Sequence, residues 1–214
     1  PADAVQAVAT SDRQVIGALI RRDHEVDLVI PRGGEGLVRF VTENATVPVI
    51  QHYKGVCHVY VDASASISMA TEIAFNAKVQ RPGVCNAMET LLLHKDVAMA
   101  VIQRLMPRYE AAGVEVRGDD AVRTLWPSVV MAQEDDWDTE YLELVLSVRV
   151  VDCLEVALEH IASYGSGHTE AIVTADDSSG ERFMREVNAS CVLINASTRF
   201  NDGFELGLGA EIGI

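Results

Sequence analysis

An α/β fold built on a parallel sheet is what this sequence predicts, and three observations predict it. Short runs of branched and aliphatic residues recur without alternation, as in Val26-Asp-Leu-Val-Ile30, Val56-Cys-His-Val-Tyr-Val61 and Leu142–Val151, the pattern of strands buried on both faces. Between them lie segments with apolar residues at helical spacing, such as Ile67, Ala70, Ile73, Ala74 and Ala77. Glycine and proline punctuate the joins, at Pro31–Gly36, Pro82-Gly83, Gly113 and Gly165. Strand and helix in alternation is the signature of a parallel sheet with crossover helices.

Taken in order, Ala4–Ala9 reads as a short strand. Ser11 or Asp12 caps a helix over about Arg13–Arg22, with Val15, Ile16, Leu19 and Ile20 on one face. Strand Val26–Ile30, a glycine turn, helix Leu37–Asn44 and strand Val47–Ile50 follow. Val56–Val61 is a strand containing His58, read as a satisfied sheet histidine. Helix Ser66–Val79 runs to a turn at Pro82, which cannot continue a helix. Met88–His94 is a strand, Val97–Ala112 a helix closed by Gly113, Val114–Val116 a short strand and Asp119–Leu125 a helical turn. Met131–Tyr141, with Glu134, Asp135, Asp136, Asp138 and Glu140, reads as a wet loop. Leu142–Val151 is a strand, Asp152 caps a helix over Cys153–Tyr164, and strand Glu170–Thr174, helix Ser179–Val187 and strand Cys191–Asn195 complete the pattern. A glycine-rich tail runs from Asn201 to Ile214.

Composition narrows the function. Among 214 residues, 49% are hydrophobic and the formal charge is −15. That excess of acid argues against a nucleic-acid partner, which calls for a basic patch, and against docking on an anionic membrane. No apolar run approaches a membrane span, and no signal peptide is seen. Cys57, Cys85, Cys153 and Cys191 form no Cys-x-x-Cys pair and have no zinc-ligand spacing to histidine. No metal is expected. The cysteines read as reduced thiols in a cytoplasmic protein. The chain starts without methionine, and a piece of a longer protein is expected.

The stretch Asn76–Thr90 holds the candidate nucleophile. A helix runs in, a strand runs out, and Cys85 follows the Pro-Gly turn between them. Lys78 and Arg81 precede it, and nearby cations favour the thiolate, which is the attacking form. The alternative is an inert buried thiol. Gly33, Gly34 and Gly36 follow a strand and open a helix, where backbone amides can approach a phosphate or dinucleotide. The spacing is not Gly-x-Gly-x-x-Gly, so a tight turn without a ligand stays equally open. Two late loops, Tyr164–Glu170 and Asn195–Gly203, are dense in polar groups, and strand-end loops are where α/β proteins place sites. Arg199 could hold a carboxylate bidentately or form a surface ion pair. His168 could act as a donor or acid, or be tied to backbone.

Five blocks together resemble one family. They are Val26-Asp-Leu-Val-Ile-Pro-Arg-Gly-Gly34, Cys57-His-Val-Tyr-Val-Asp62, Gln80-Arg-Pro-Gly-Val-Cys-Asn-Ala-Met-Glu-Thr-Leu91, Tyr164-Gly-Ser-Gly-His-Thr-Glu-Ala-Ile-Val-Thr174 and Asn195-Ala-Ser-Thr-Arg-Phe200. In that order they closely resemble γ-glutamyl phosphate reductase (glutamate-5-semialdehyde dehydrogenase), of the aldehyde dehydrogenase superfamily. The resemblance implies an aldehyde dehydrogenase-like fold: part of a Rossmann-type parallel sheet, then an α/β catalytic domain carrying the cysteine. It implies residues 1–58 as the end of the NADP-binding domain, 59–200 as the catalytic domain, and 201–214 as the start of a return segment. It implies the second step of proline biosynthesis, in which L-glutamyl 5-phosphate is reduced with NADPH to glutamate 5-semialdehyde and phosphate. Cys85 falls on the family's catalytic cysteine, so a thioester would form there and accept hydride. The superfamily's oxyanion donors are the cysteine amide and an asparagine from an earlier segment, outside this sequence.

Arg32, Gly33 and Gly34 fall at the cofactor turn, and Asp136 lies near the position of an acid that contacts the nicotinamide ribose in related enzymes. Arg199, Ser197, Thr198, His168, Glu170 and Asn86 are the expected substrate-binding residues, the first five for the glutamyl α-carboxylate and α-amino groups. General aldehyde dehydrogenases place a water-activating glutamate in the segment Val49–Gly55. Gln51-His-Tyr-Lys54 has none, which suits release to hydride rather than to water. The full-length protein is expected to be a homo-oligomer, coupled in function to glutamate 5-kinase. This chain alone is expected to bind NADPH weakly and turn over little. Two alternatives remain at this point: an aldehyde-oxidising relative using the same cysteine, and a non-catalytic module of the same fold.

Overall fold

The computed structural model describes residues 4–209. The chain divides between Tyr53 and Lys54 into two compact units. The first holds helices α1 (Gln14–Leu19) and α2 (Glu35–Asn44). Its three expected strands are not formed as such. Residues 4–9 lie exposed outside any strand, with Val5 90% accessible. Residues 26–30 and 47–50 share one parallel bridge, Val29 with Val49. The amide of Ile50 donates to the Val29 carbonyl at 3.0 Å, and that of Val29 to the Pro48 carbonyl at 2.9 Å. A ladder grows only where further strands accept its bonds. Leu28 and Ile50 are 43% and 48% exposed, while Val47 is buried, so these two segments are covered only in part.

The second unit is a seven-stranded sheet, all parallel. Its strands are β1 (Cys57–Val61), β2 (Met88–His94), β3 (Glu115–Gly118), β4 (Val130–Met131), β5 (Val145–Val151), β6 (Thr169–Val173) and β7 (Cys191–Ile194), in the spatial order β4-β3-β5-β2-β1-β6-β7. Helices α3 (Ile67–Val79), α4 (Lys95–Ala111), α5 (Asp120–Leu125), α6 (Leu154–Tyr164) and α7 (Asp177–Glu186) connect them. Successive side chains along a strand point to opposite faces, and the core divides accordingly. Val59, Val61, Leu91, Leu93, Ala171 and Val173 pack with α3 and α4. Tyr60, Leu92 and Ile172 pack with Leu154, Ala157 and Ile161 of α6 and Phe183 of α7. Helices on both faces bury β1, β2 and β6 completely, which is why these strands read as continuous apolar runs.

Several elements depart from expectation. The division falls earlier than residue 58 because Val56 donates to Ser166 Oγ at 2.9 Å and β1 is already paired on both sides. Residues 201–209 pack with the second unit; residues 210–214 of the tail lie outside the described residues. Asp152 does not cap α6: Cys153 is the cap residue, without a side-chain bond, and Asp152 pairs with Lys95 at 3.0 Å. The acidic segment after β4 is not simply wet, since Asp136 and Trp137 are buried within it. Among the described residues no helix is long and apolar enough to cross a membrane.

Candidate active site

Helix α3 ends at Val79 and β2 begins at Met88, and the connection closes in a tight turn. The Ala87 amide donates to the Val84 carbonyl at 3.0 Å, leaving Cys85 and Asn86 as the central residues. Cys85 is exposed, while Cys57 is buried and Cys153 and Cys191 are half-buried. The turn precedes β2, so it lies at the edge of the sheet where strands begin. Gly55 and Cys57 open β1 at this edge, and His168 and Thr169 open β6. The usual expectation for α/β sheets is the opposite, carboxyl edge. That edge is occupied by a self-satisfied network: Thr174 Oγ1 and Ser64 Oγ donate to Asp62 Oδ2 at 2.8 and 2.7 Å, and the amides of Ala175 and Asp176 donate to Ser64 Oγ, both at 3.0 Å.

The structure sorts the expected residues into two groups. Arg199 and the half-buried His168 come to the same edge as Cys85. Arg199 donates through Nε to Gln80 Oε1 at 2.7 Å and through Nη1 to Asn86 Oδ1. His168 Nδ1 lies 2.7 Å from Thr169 Oγ1. The other substrate candidates are buried, and Asn86, Ser197 and Glu170 make bonds within the chain. Asn86 gives its second amide end to the Asn201 carbonyl at 2.9 Å, so both ends are used in joining the cysteine turn to the 199–201 segment. Ser197 is buried and accepts from the Arg199 amide, capping a short 3₁₀ turn over Thr198–Phe200, and Thr198 is wholly buried. Glu170 is 1% exposed and accepts from the His58 amide at 2.8 Å and faces His58 Nδ1 at 2.9 Å. Burial pushes its carboxyl up, with His58 opposing. Through Oε2 it is the partner of the sheet histidine.

Two electrostatic expectations are corrected. Lys78 is fully buried, 2.5 Å from Glu89 Oε2, and Glu89 also accepts from the Leu142 amide at 3.3 Å. Burial pushes Glu89 up to about 7 and Lys78 down. The cation is tied to its own carboxylate, and Arg81 is left as the exposed cation preceding Cys85 in sequence. Asp136 is likewise engaged on both oxygens. Oδ1 accepts from Arg117 at 2.6 Å and from Tyr141 at 2.9 Å, and Oδ2 accepts from the Gln133 amide at 2.7 Å. Burial works against its ionisation, but these bonds hold the carboxyl below its ordinary value. It anchors the 133–141 segment.

In the first unit Gly34 is the N-cap of α2 and supplies no side-chain cap. A Cβ built at Gly34 or Gly36 meets nothing within 4 Å. Beside these glycines a cavity of about 690 Å³ is lined by Arg13, Ile16, Gly33, Gly34, Gly36 and Phe40. Arg32 is exposed. A helix N-terminus without a side-chain cap, a cation and apolar walls fit a phosphate-bearing nucleotide. Among the described residues no cluster of three or more His, Cys, Asp or Glu could hold a metal ion.

Sequence reasoning missed Gly55, Cys57, Thr169, Gln80 and Asn201. The signal for Gly55 was available: a glycine just ahead of a buried strand marks a close backbone approach. Nothing local in the sequence pointed to the other four.

No protein-family model matches the chain. The γ-glutamyl phosphate reductase of Geobacter metallireducens is 58% identical over all 214 residues, which cover 51% of that protein. The crystal structure of the γ-glutamyl phosphate reductase from Thermotoga maritima superposes with a TM-score of 0.96 at 46% identity, over 100% of this chain and 52% of that one. More distant structures show the fold: an acetylating aldehyde dehydrogenase from Geobacillus thermoglucosidasius (TM-score 0.72, 17% identity, 99% of this chain and 54% of that one). So does a glyceraldehyde-3-phosphate dehydrogenase from Methanocaldococcus jannaschii solved with NADP (TM-score 0.70, 14% identity, 87% and 49%). The chain spans about half the length of the curated relatives it matches. Over its whole length it is similar to about one half of γ-glutamyl phosphate reductases, and its fold is aldehyde dehydrogenase-like.

Proposed function

We propose that the protein containing this chain reduces L-glutamyl 5-phosphate to L-glutamate 5-semialdehyde and phosphate with NADPH, in proline biosynthesis, using Cys85 as nucleophile. The observation that carries this reading is the placement of Cys85. It is exposed at the centre of a tight turn, at an edge where Arg199 is also gathered. The Cys85 thiolate attacks the acyl carbon, phosphate leaves with the electron pair of the broken C–O bond, and a thioester is formed on Sγ. The Cys85 amide is the donor for the oxygen that gains charge in this step. Arg199, held in orientation by Gln80 and Asn86, is the cation for the substrate α-carboxylate, because a guanidinium keeps its charge and is suited to carboxylate recognition. The cofactor, when bound, supplies the hydride that converts thioester to aldehyde. Arg32, Gly33 and Gly34, with Arg13, would hold its phosphates at the N-terminus of α2. The NADP complex of a protein with this fold supports that choice of cofactor class. A homo-oligomer in the cytoplasm, acting downstream of glutamate 5-kinase, belongs to the same reading.

The test uses the full-length protein in the oxidative direction, with pyrroline carboxylate and NADP, with and without phosphate. Activity is expected to require phosphate and to vanish in Cys85→Ser. Activity that persists without phosphate would assign the protein to aldehyde-oxidising relatives. Absence of activity in the folded protein would leave a non-catalytic module.

A further inference from the structure

Behind the cysteine turn the opening of β1 lies against the turn's own backbone. A Cβ built at Gly55 would sit 2.2 Å from the Cys85 carbonyl oxygen and 2.8 Å from its Cα. Real Cβ atoms never come so close, and the atoms met are backbone, so nothing can swing aside. Only a residue without a side chain lets the two segments touch. Two residues on, Cys57 is fully buried. Its Sγ lies 3.1 Å from the same Cys85 carbonyl oxygen. His168 Nδ1 is farther from this sulfur, at 3.7 Å, and is engaged with Thr169.

We propose that Cys57 is a positioning residue for the nucleophile, its S–H donating to the Cys85 carbonyl while Gly55 leaves room for that contact. The inference rests on Cys85 being the nucleophile. Its physical content is a fixed peptide plane. Exposed turns move, and a nucleophile on a turn needs its backbone held if its amide and its sulfur are to meet one substrate together. The Cys85 carbonyl is held from behind by Gly55 and Cys57, and the next residue is held from the side through Asn86 to Arg199 and Asn201. Burial pushes the Cys57 thiol well above its ordinary range, with Glu170 adding to the effect. Cys57 therefore stays protonated as a donor and does not compete as a nucleophile.

The test compares Cys57→Ala, Cys57→Ser and Cys85→Ser in the full-length enzyme. Cys57→Ala removes the donor and is expected to lower kcat by about tenfold or more with KM little changed, since a misplaced reacting group costs rate at that scale. Cys57→Ser restores a donor at the same place and is expected to recover most of the rate. The rate of Cys85 alkylation by iodoacetamide, measured against pH, is expected to change in the alanine variant and return in the serine one. A Cys57→Ala enzyme with wild-type kcat, or a serine variant no better than alanine when both are folded by circular dichroism, overturns the proposal. If alanine does not fold, the serine variant decides, because most of the wild-type kcat and the wild-type alkylation profile are expected of it, and a loss of about tenfold or more refutes the donor role. An active Cys85→Ser enzyme would instead overturn the nucleophile reading itself.

Discussion

Replacing Lys78 by methionine separates two roles that the sequence runs together. Lys78 and Glu89 are both wholly inaccessible, with 2.5 Å between Nζ and Oε2. Breaking such a pair costs about 3–5 kcal/mol when a charge is stranded, but a carboxyl can escape by keeping its proton. Glu89 already sits at about 7, above its ordinary 4.5, because of burial. The folded wild type therefore keeps a proton on Glu89 that the unfolded chain releases, and stability falls as pH rises from about 4.5 to about 7. Above that, Glu89 ionises against Lys78 and its contribution levels off. Without Lys78 the carboxyl is pushed higher still, so the fall continues.

The deficit of Lys78→Met relative to wild type is thus flat below about pH 7 and widens above it, with a ceiling of ~1.4 kcal/mol per pH unit for one proton. Urea unfolding at pH 6, 7, 8 and 9, followed by the fluorescence of Trp126 and Trp137, measures it. The double variant Lys78→Met/Glu89→Leu is expected to regain most of the loss, because no charge is then buried. A deficit independent of pH, or one that the double variant keeps, would refute the pairing. The same variant reports on Cys85. Its alkylation profile above about pH 7 is expected not to move, since Lys78 is matched there by the ionised Glu89, and an upward shift would return Lys78 to the role of thiolate cation.

Other outcomes follow from the same geometry. Arg199→Leu is expected to raise substrate KM by at least about tenfold, as the loss of a charge-assisted bond of about 1.5–3 kcal/mol requires, and an unchanged KM would sink the carboxylate assignment. Asp136→Asn weakens the bonds from Arg117 and Tyr141 and is expected to cost about 1–3 kcal/mol of stability, while the NADPH Kd of the full-length protein stays put. A Kd that rises without a stability loss would restore Asp136 to the cofactor site.

Much of the second unit was legible because each element announces itself locally. Met88–His94 and the cores of β1, β5, β6 and β7 are apolar runs of strand length, and the helices between them keep a helical apolar period. Gly113 and Pro82 end their helices for reasons carried by single residues. The failures are of another kind. Ala4–Ala9, Val26–Ile30 and Val47–Ile50 have strand composition, yet a strand exists only through its neighbours, and the described residues provide one bridge. β4 is two residues long and draws its existence from β3. Met131–Tyr141 is acidic enough to read as solvent-facing, and nothing in its composition says that Asp136 turns inward to meet Arg117.

By itself the sequence determined the α/β class, the order of the elements in the second unit, the turn that carries Cys85 and, through five motifs in register, the reductase resemblance. These are properties of periodicity, single-residue backbone chemistry and ordered motifs. The tertiary structure alone decided which polar residues serve as ligand candidates and which as struts. Lys78 and Asp136 look available in the sequence and are buried against Glu89 and Arg117; Cys57 looks like core and lies on the carbonyl of Cys85. The reason is that a charge or thiol takes its chemistry from what lies within a few ångströms of it, and here those neighbours come from other elements, 11 residues away for Lys78 and Glu89, 19 for Asp136 and Arg117 and 28 for Cys57 and Cys85.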